Sequence, residues 1–309
     1  MRRWIAVLLV VAAFCAVALG SGHKRPIATS EPDVNALKPK PLPSSTEELE
    51  QKGETAPGGP SFEQTVLYEG KDIVVSATGL TYESGVPTLG FLVENGSGRT
   101  LRAACDGLDV NGWYVGAPME LVCAPQCRTY GKLPVDLDPL AVCGITEIAQ
   151  LDLAVALTDA KTGSALPAGE RVRILTDAAL ERAYTADKTG RLVYYAGGVE
   201  ITVLGRDKRA GRSADPVLCI ANTKDDPVRL ELAAFYVNGA PFETALTAVV
   251  PGGRAAPAVI RVPRDELTRQ KITPEQYVLR LEIRDEASGD LLDATDAIRI
   301  DYEDLRPLP

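Results

Sequence analysis

The sequence has very little histidine, few aromatic residues and no excess of basic residues. His23 is the single histidine in 309 residues, so the commonest general base and metal ligand is almost absent. The net charge is −9, whereas sequence-independent nucleic-acid binding draws on clustered lysine and arginine. With 45% hydrophobic and 24% charged residues, the composition excludes a polytopic membrane protein, collagen and a wholly disordered chain.

The first twenty residues hold the one long hydrophobic run. Arg2 and Arg3 precede sixteen apolar residues, Trp4 to Leu19, and Ala18-Leu19-Gly20 supplies small residues for a cleavage site. This order predicts a secretory signal peptide over 1–20. An uncleaved anchor is the alternative, although a helix needs ~20 apolar residues to span a bilayer. In both cases we expect a secreted or cell-surface protein, with no membrane span after cleavage.

Residues 21–64 differ in composition from the rest of the chain. They contain seven prolines and one aromatic residue, Phe62. Such a segment buries too little apolar surface to offset the entropy of ordering. We therefore expect a disordered, Pro-rich linker that carries His23 as an uninvolved residue.

Beyond residue 64 the sequence repeats itself. Phe91-Leu92-Val93-Glu94-Asn95 aligns with Leu218-Cys219-Ile220-Ala221-Asn222, and Val110-Asn111-Gly112 aligns with Val237-Asn238-Gly239. The offset is 126 or 127 residues throughout, which is the length of a whole domain. The repeat predicts two copies of one domain over 65–176 and 190–302, joined by a connector at 177–189 and followed by a tail at 303–309.

Each copy shows the alternation of β-strands. Apolar residues such as Ile73, Val75 and Ala77 occupy every second position, so one face of the strand is buried and the other is wet. About seven short strands per copy predict an all-β fold of two tandem immunoglobulin-like antiparallel β-sandwiches. The alternation stops at 135–142 and 264–270, where a helical turn fits, and the connector suits a short helix.

Paired asparagines recur in both copies. Asn tolerates positive φ and bonds local backbone, and Asn-Gly suits a type I′ turn. We interpret Asn95 and Asn222 as strand ends and Asn111-Gly112 and Asn238-Gly239 as turns. Asn95-Gly96-Ser97 also fits the N-glycosylation pattern.

These motifs give the chain a family resemblance. The succession Leu67-Tyr68-Glu69, Val93-Glu94-Asn95, Val110-Asn111-Gly112 and Leu151 to Val155 resembles immunoglobulin-like repeats in uncharacterised exported proteins of Gram-positive bacteria. The resemblance covers most of 65–302. It implies the fold and brings no catalytic residues, because the shared motifs are turn and core positions.

Five cysteines follow the signal peptide. In an oxidising exterior, disulfides are the default. Cys123 and Cys127 flank a predicted turn, so we expect them to pair with each other, which leaves Cys105 to pair with Cys143. Cys219 aligns with Leu92 on a core strand, where a buried thiol is expected. Free or mixed thiols and a four-cysteine zinc site are the alternatives.

No catalytic constellation is present in the sequence of the two copies. They contain no histidine, and acidic groups such as Asp285, Asp290 and Asp293 lack the spacing of a calcium loop. We expect no catalytic, cofactor-binding or metal-binding residues. Trp113-Tyr114 is the one conspicuous aromatic pair; core packing or an edge contact is the favoured interpretation, and stacking against a sugar or peptide ligand makes the pair a candidate contact.

These features together predict a non-enzymatic exported protein. Two immunoglobulin-like domains on a tether suit binding of a protein or a glycan at the cell exterior, and not of nucleic acid. The alternatives are a structural spacer at the cell surface and a carboxylate-dependent hydrolase.

Overall fold

The structure, a computed structural model, describes residues 59–83, 85–116, 118–167, 169–181, 186–207, 209 and 215–308. The expected signal peptide, His23 and most of the expected linker lie outside these residues. The described chain is all-β, with four antiparallel sheets and helices of at most seven residues. Over the described ranges, no helix has the length and apolar character needed to cross a membrane.

The first sandwich consists of two sheets. One has the order β1-β2-β3-β7, with β1 (Thr65–Gly70), β2 (Ile73–Glu83), β3 (Val86–Asn95) and β7 (Cys127–Pro134). The other has the order β5-β4-β8-β9 with β6 also on β4: β4 (Leu101–Val110), β5 (Trp113–Tyr114), β6 (Pro118–Cys123), β8 (Gln150–Asp159) and β9 (Val172–Leu175). Helix α1 (Asp138–Ala141) lies between β7 and β8, inside the segment where the alternation stops.

Helix α2 (Ala178–Glu181) follows β9, and a second sandwich of the same design follows it. Its first sheet has the order β10-β11-β12-β16: β10 (Arg191–Ala196), β11 (Val199–Arg206), β12 (Pro216–Asn222) and β16 (Arg254–Val259). Its second sheet is built around β13 (Val228–Val237) and β17 (Gln276–Asp285), with β14 (Ala240–Pro241), β15 (Thr247–Val250), β18 (Leu291–Ala294) and β19 (Ile298–Asp301) paired to them.

Helix α3 (Arg264–Gln270) occupies the second interruption of the alternation. Asp265 and Glu266 lie in its first turn, where negative charge favours a helix, and it ends at Lys271 in the left-handed conformation with φ 54°. A short 3₁₀ turn, Tyr302–Asp304, precedes the last described residues.

Strand pairing confirms that the chain contains one module twice. Thr65 pairs with Ala77 and Arg191 with Val203, while Asn95 pairs with Cys127 and Asn222 with Arg254. These partners are related by the same offsets as the sequence repeat. The register shifts also recur, between Val66 and Tyr68 in β1 and between Leu192 and Tyr194 in β10. Bulges at matched positions show that the copies share backbone detail as well as strand order.

The buried side chains form two clusters, and one sheet contributes to both. Along β12 and β16, Leu218, Ile220, Ala256 and Ala258 belong to the core of the second sandwich. Their strand neighbours Val217, Cys219 and Ala255 belong instead to the cluster that fills the first sandwich. Since successive side chains point to opposite faces of a sheet, strands β12 and β16 of this sheet are buried on both sides.

The junction of the two sandwiches contains a buried ion cluster. Asp109 of β4 is bonded by Arg171 at 2.9 Å and by Arg254 of β16 at 2.8 Å. Burial raises the pKa of Asp109, and the two guanidinium groups oppose that rise. Strand β5 and helix α1 pack against β16 on the same side. The outer face of the sheet β10-β11-β12-β16 therefore packs against the first sandwich.

Candidate functional site

Asn95 and Asn222 end equivalent strands and make equivalent bonds. The Asn95 amide donates to the carbonyls of Arg99, Cys123 and Ala124 at 2.8–3.1 Å. The Asn222 amide donates to the carbonyls of Asp226 and Val250 at 2.8 and 2.9 Å. Both side chains are buried, so the amide of Asn95 is committed to the fold and closed to glycosylation in the folded protein.

Asn111-Gly112 and Asn238-Gly239 form the turns that lead into β5 and β14. The φ angles are 51° and 79° in the first turn and 50° and 81° in the second, as a type I′ turn requires. The Asn111 amide donates to the carbonyl of Glu147, and its oxygen accepts from the backbone of Ala149 and Gln150. Asn238 does the same with Thr273, Glu275 and Gln276. These asparagines shape the backbone in both copies.

Trp113 and Tyr114 lie at the junction of the sandwiches. Trp113 is fully buried, and the Lys188 ammonium lies 5.3 Å from the centroid of its ring. Tyr114 packs against the core of the second sandwich. Because the indole is closed to solvent, Trp113 is corrected from a candidate ligand contact to a packing residue.

The predicted disulfides are also corrected: none of the five described cysteines is disulfide-bonded. Cys123 ends β6 and Cys127 begins β7, in opposite sheets, and the Cys123 thiol donates to the carbonyl of Cys127 at 3.4 Å. Cys105 lies within β4, whereas Cys143 follows α1 and borders Cys219.

Two of the thiols, Cys143 and Cys219, are strongly shifted toward their protonated form. Burial raises the pKa of Cys143 to about 12 and that of Cys219 to about 11. No group of three metal-ligating side chains occurs within the described ranges.

Asp285 and Asp293 accept hydrogen bonds that belong to the fold. The backbone N–H of Ser288 donates to Asp285 and lowers its pKa, and the hydroxyl of Tyr194 donates to Asp293 at 2.5 Å and lowers its pKa. Neither carboxyl has the raised pKa that a general acid needs at neutral pH.

Two open grooves occupy equivalent places in the two copies. In the first sandwich, β1, residues 165–167, Gly169 and Glu170 line a groove of about 730 Å³. In the second, β10 and residues 293–299 line one of about 710 Å³. A hydrogen bond from the Tyr194 hydroxyl to Asp293 joins the β10 side of the second groove to the segment 293–299. The open edge of each sandwich is thus a repeated feature of the module.

The second edge carries an apolar patch that the sequence analysis missed. Leu192 is 55% exposed and Tyr195 69% exposed. In a regular strand, residues three apart point to opposite faces, but the bulge in β10 sets Leu192 opposite Thr202 and Tyr195 opposite Glu200. Both side chains therefore lie on the outer face of the sheet. We call Leu192 and Tyr195 the β10 patch.

The β10 patch continues the face that packs on the first sandwich. Cys219 and Ala255 on the same outer face are buried in that contact, whereas β10 at the sheet edge is left uncovered. The sequence did hold one signal for the patch. The repeat aligns Tyr195 with Glu69, and a charged residue in one copy marks the position as outward-facing.

The comparisons with known proteins give no family. No family model and no curated protein matches the chain. Among solved structures, it is similar to the YadV chaperone, with 12% identity over 74% of this chain and 99% of that one and a TM-score of 0.24.

Two further structures are similar at the same level. The Salmonella enterica SafA pilin in complex with the SafB chaperone gives 11% identity over 78% and 96% of the chains and a TM-score of 0.20. A 1.5-MDa bacterial ice-binding adhesin gives 11% over 70% and 56% and a TM-score of 0.19. These values are too low to assign a function.

Proposed function

We propose that this chain is a non-enzymatic exported interaction module that binds a partner protein through the β10 patch. Export rests on the signal-like sequence of residues 1–20 and on the resemblance to exported immunoglobulin-like repeats. The observation that carries the binding site is the bulge in β10, which brings Leu192 and Tyr195 to one exposed face.

Three properties of the patch support this proposal. Tyrosine, here Tyr195, is one of the side chains that most often anchor protein interfaces. The patch is continuous with a surface that already packs on an immunoglobulin-like sandwich, so its shape suits another folded protein. The equivalent position of Tyr195 in the first copy is Glu69, so the aromatic residue of the patch is specific to the second sandwich.

Site-specific photocrosslinking tests the proposal. A benzophenone amino acid replaces Tyr195 in the full chain, expressed in its native cells, and the control carries the same group at Tyr130, which is 57% exposed on the first sandwich. We expect a discrete protein adduct from position 195 only. No adduct, or equal adducts from both positions, would leave the spacer interpretation standing, and a protease-resistant polysaccharide adduct would replace the protein partner with a glycan.

Charge substitution then tests the patch itself. With Leu192→Glu and Tyr195→Glu together, affinity for the purified partner should fall by about 30-fold or more, as for a central interface anchor. Val66→Glu is the matched control, because Val66 is the equivalent of Leu192 in the first sandwich and is also exposed. Equal losses in both variants would contradict a site specific to the second sandwich.

A further inference from the structure

The segment from Leu305 to Leu308 joins the edge of β11 that β10 leaves open. Pairing between β10 and β11 stops at Arg191 and Val203. Beyond that point, the Arg206 N–H donates to the Arg306 carbonyl and the Leu308 N–H donates to the Arg206 carbonyl, both at 3.0 Å. The segment therefore continues the sheet as a short parallel extension.

The absence of a side chain at Gly205 allows the segment from Leu305 to Leu308 to lie against β11. Its φ is 153°, and a methyl group at this position would lie 2.3 Å from the Arg306 carbonyl oxygen. The equivalent residue in the first sandwich is Gly79, at the same bulge and with φ 141°, but nothing lies within 4 Å of the corresponding position. Both glycines have a positive φ that other residues rarely adopt. Only Gly205 has another segment of the chain packed against it.

The Arg306 side chain extends these contacts toward the first sandwich. Its guanidinium group donates to the Leu204 carbonyl at 3.1 Å and to the Thr189 carbonyl at 2.9 Å. Thr189 belongs to the connector, in which Lys188 lies over the ring of Trp113. The arginine therefore links β11 to the stretch of chain that contacts the first sandwich.

The apolar side chains of the segment divide between the two cores. Leu305 is buried in the cluster of the second sandwich, and Leu308 is buried in the cluster that fills the first. This segment of four consecutive residues thus contributes side chains to both hydrophobic cores.

We propose that Leu305–Leu308 is a clamp that holds the two sandwiches in one fixed relative orientation. Domains of one chain move relative to each other unless a large apolar interface or a specific tie prevents it. The clamp supplies such a tie beside the contact of Asp109 with Arg254, and it fixes where the β10 patch lies relative to the first sandwich.

Distance measurements between the sandwiches test the clamp. Spin labels are attached through p-acetylphenylalanine at the exposed positions Val122 and Leu291, one in each sandwich, in the chain from residue 21 onward. We expect one narrow distance distribution for the unaltered chain and for Gly79→Ala. Gly205→Ala, which displaces Arg306, should broaden the distribution by about twofold.

A deletion of residues 306–309, which keeps Leu305 in its core, gives the same test without strain at a glycine. It should broaden the distribution as Gly205→Ala does, and it decides the question if Gly205→Ala does not fold. A distribution that stays narrow after the deletion would overturn the clamp, because the remaining interface would then suffice. Equal broadening in Gly79→Ala and Gly205→Ala would assign the effect to backbone strain and also overturn it.

Discussion

The equivalent sheets β1-β2-β3-β7 and β10-β11-β12-β16 have the same strand order but different outer faces. The outer face of the first sandwich carries the exposed Tyr130 and a half-buried ion pair between Arg128 and Glu94 at 2.6 Å. The equivalent positions in the second sandwich are small and apolar: Pro257, Ala255 and Ala221. The first face meets solvent, whereas the second packs on the neighbouring sandwich.

The receiving surface differs between the copies in the same way. Asp109 and Asp152 of the first sandwich face each other across β4 and β8, beside Arg254 of the second sandwich. Their equivalents in the second sandwich are Tyr236 and Val278. The inward-facing residues of the two copies preserve the fold of the module. The outward-facing residues differ between the copies, and they determine which surfaces of the two sandwiches pack together.

The largest expected effect is at Trp113, whose equivalent in the second copy is Ala240. Trp113→Ala makes the first copy resemble the second at this position but removes the largest fully buried side chain. We expect a loss of about 3–5 kcal/mol in the free energy of unfolding, followed by circular dichroism in urea. Val122→Ala, at an exposed position, should change stability by about 0.5 kcal/mol or less. A loss below about 1 kcal/mol for Trp113→Ala would contradict its role as a core residue of the junction.

A smaller effect separates hydrogen bonding from burial at the Asn-Gly turns. Asn111 and Asn238 make the same three bonds, but Asn111 is 2% exposed and Asn238 is exposed. Replacement by glycine keeps the positive φ and removes only the side-chain bonds. We expect a loss of about 2–3 kcal/mol for Asn111→Gly and of about 1 kcal/mol for Asn238→Gly, since buried backbone groups left without partners pay the full desolvation cost. Equal losses from thermal unfolding would show that burial is not what distinguishes the two turns.

Sequence reasoning predicted the fold because it depends on inward-facing positions. Ile73, Val75 and Ala77 are buried as their alternation predicted. Asn111-Gly112 adopts the positive φ angles that its side chains favour. Such local preferences can be recognised in the sequence, and each of these patterns occurs at the matching position of both copies.

The arrangement of the two copies was not predictable, because it depends on contacts distant in sequence. Cys219 was predicted to be a buried free thiol on a core strand and is one, but it packs in the cluster that fills the first sandwich. Core packing was the favoured interpretation of Trp113-Tyr114, and the sequence did not show that Tyr114 packs against the other sandwich. The β10 patch was missed because a bulge changes the face of a side chain without changing the residue pattern.

The smallest expected effect distinguishes how each sandwich is closed at its end. In the first, the backbone N–H and hydroxyl of Ser61 donate to Asp177 at 2.8 and 2.7 Å and lower the pKa of this carboxyl below its ordinary value of 3.8. The ionised form therefore stabilises the fold above that value, and the contribution disappears as the pH falls through the lowered pKa. Asp177→Asn should unfold at a lower temperature than the unaltered chain at pH 7, and the difference should close in acid. Glu303→Gln, at the equivalent exposed position of the second sandwich, is the matched control and should leave the unfolding temperature at pH 7 nearly unchanged, as expected for a substitution at the surface. A temperature difference for Asp177→Asn that stays constant from neutral pH into acid would mean that the ionised carboxylate does not hold the start of the first sandwich to its end.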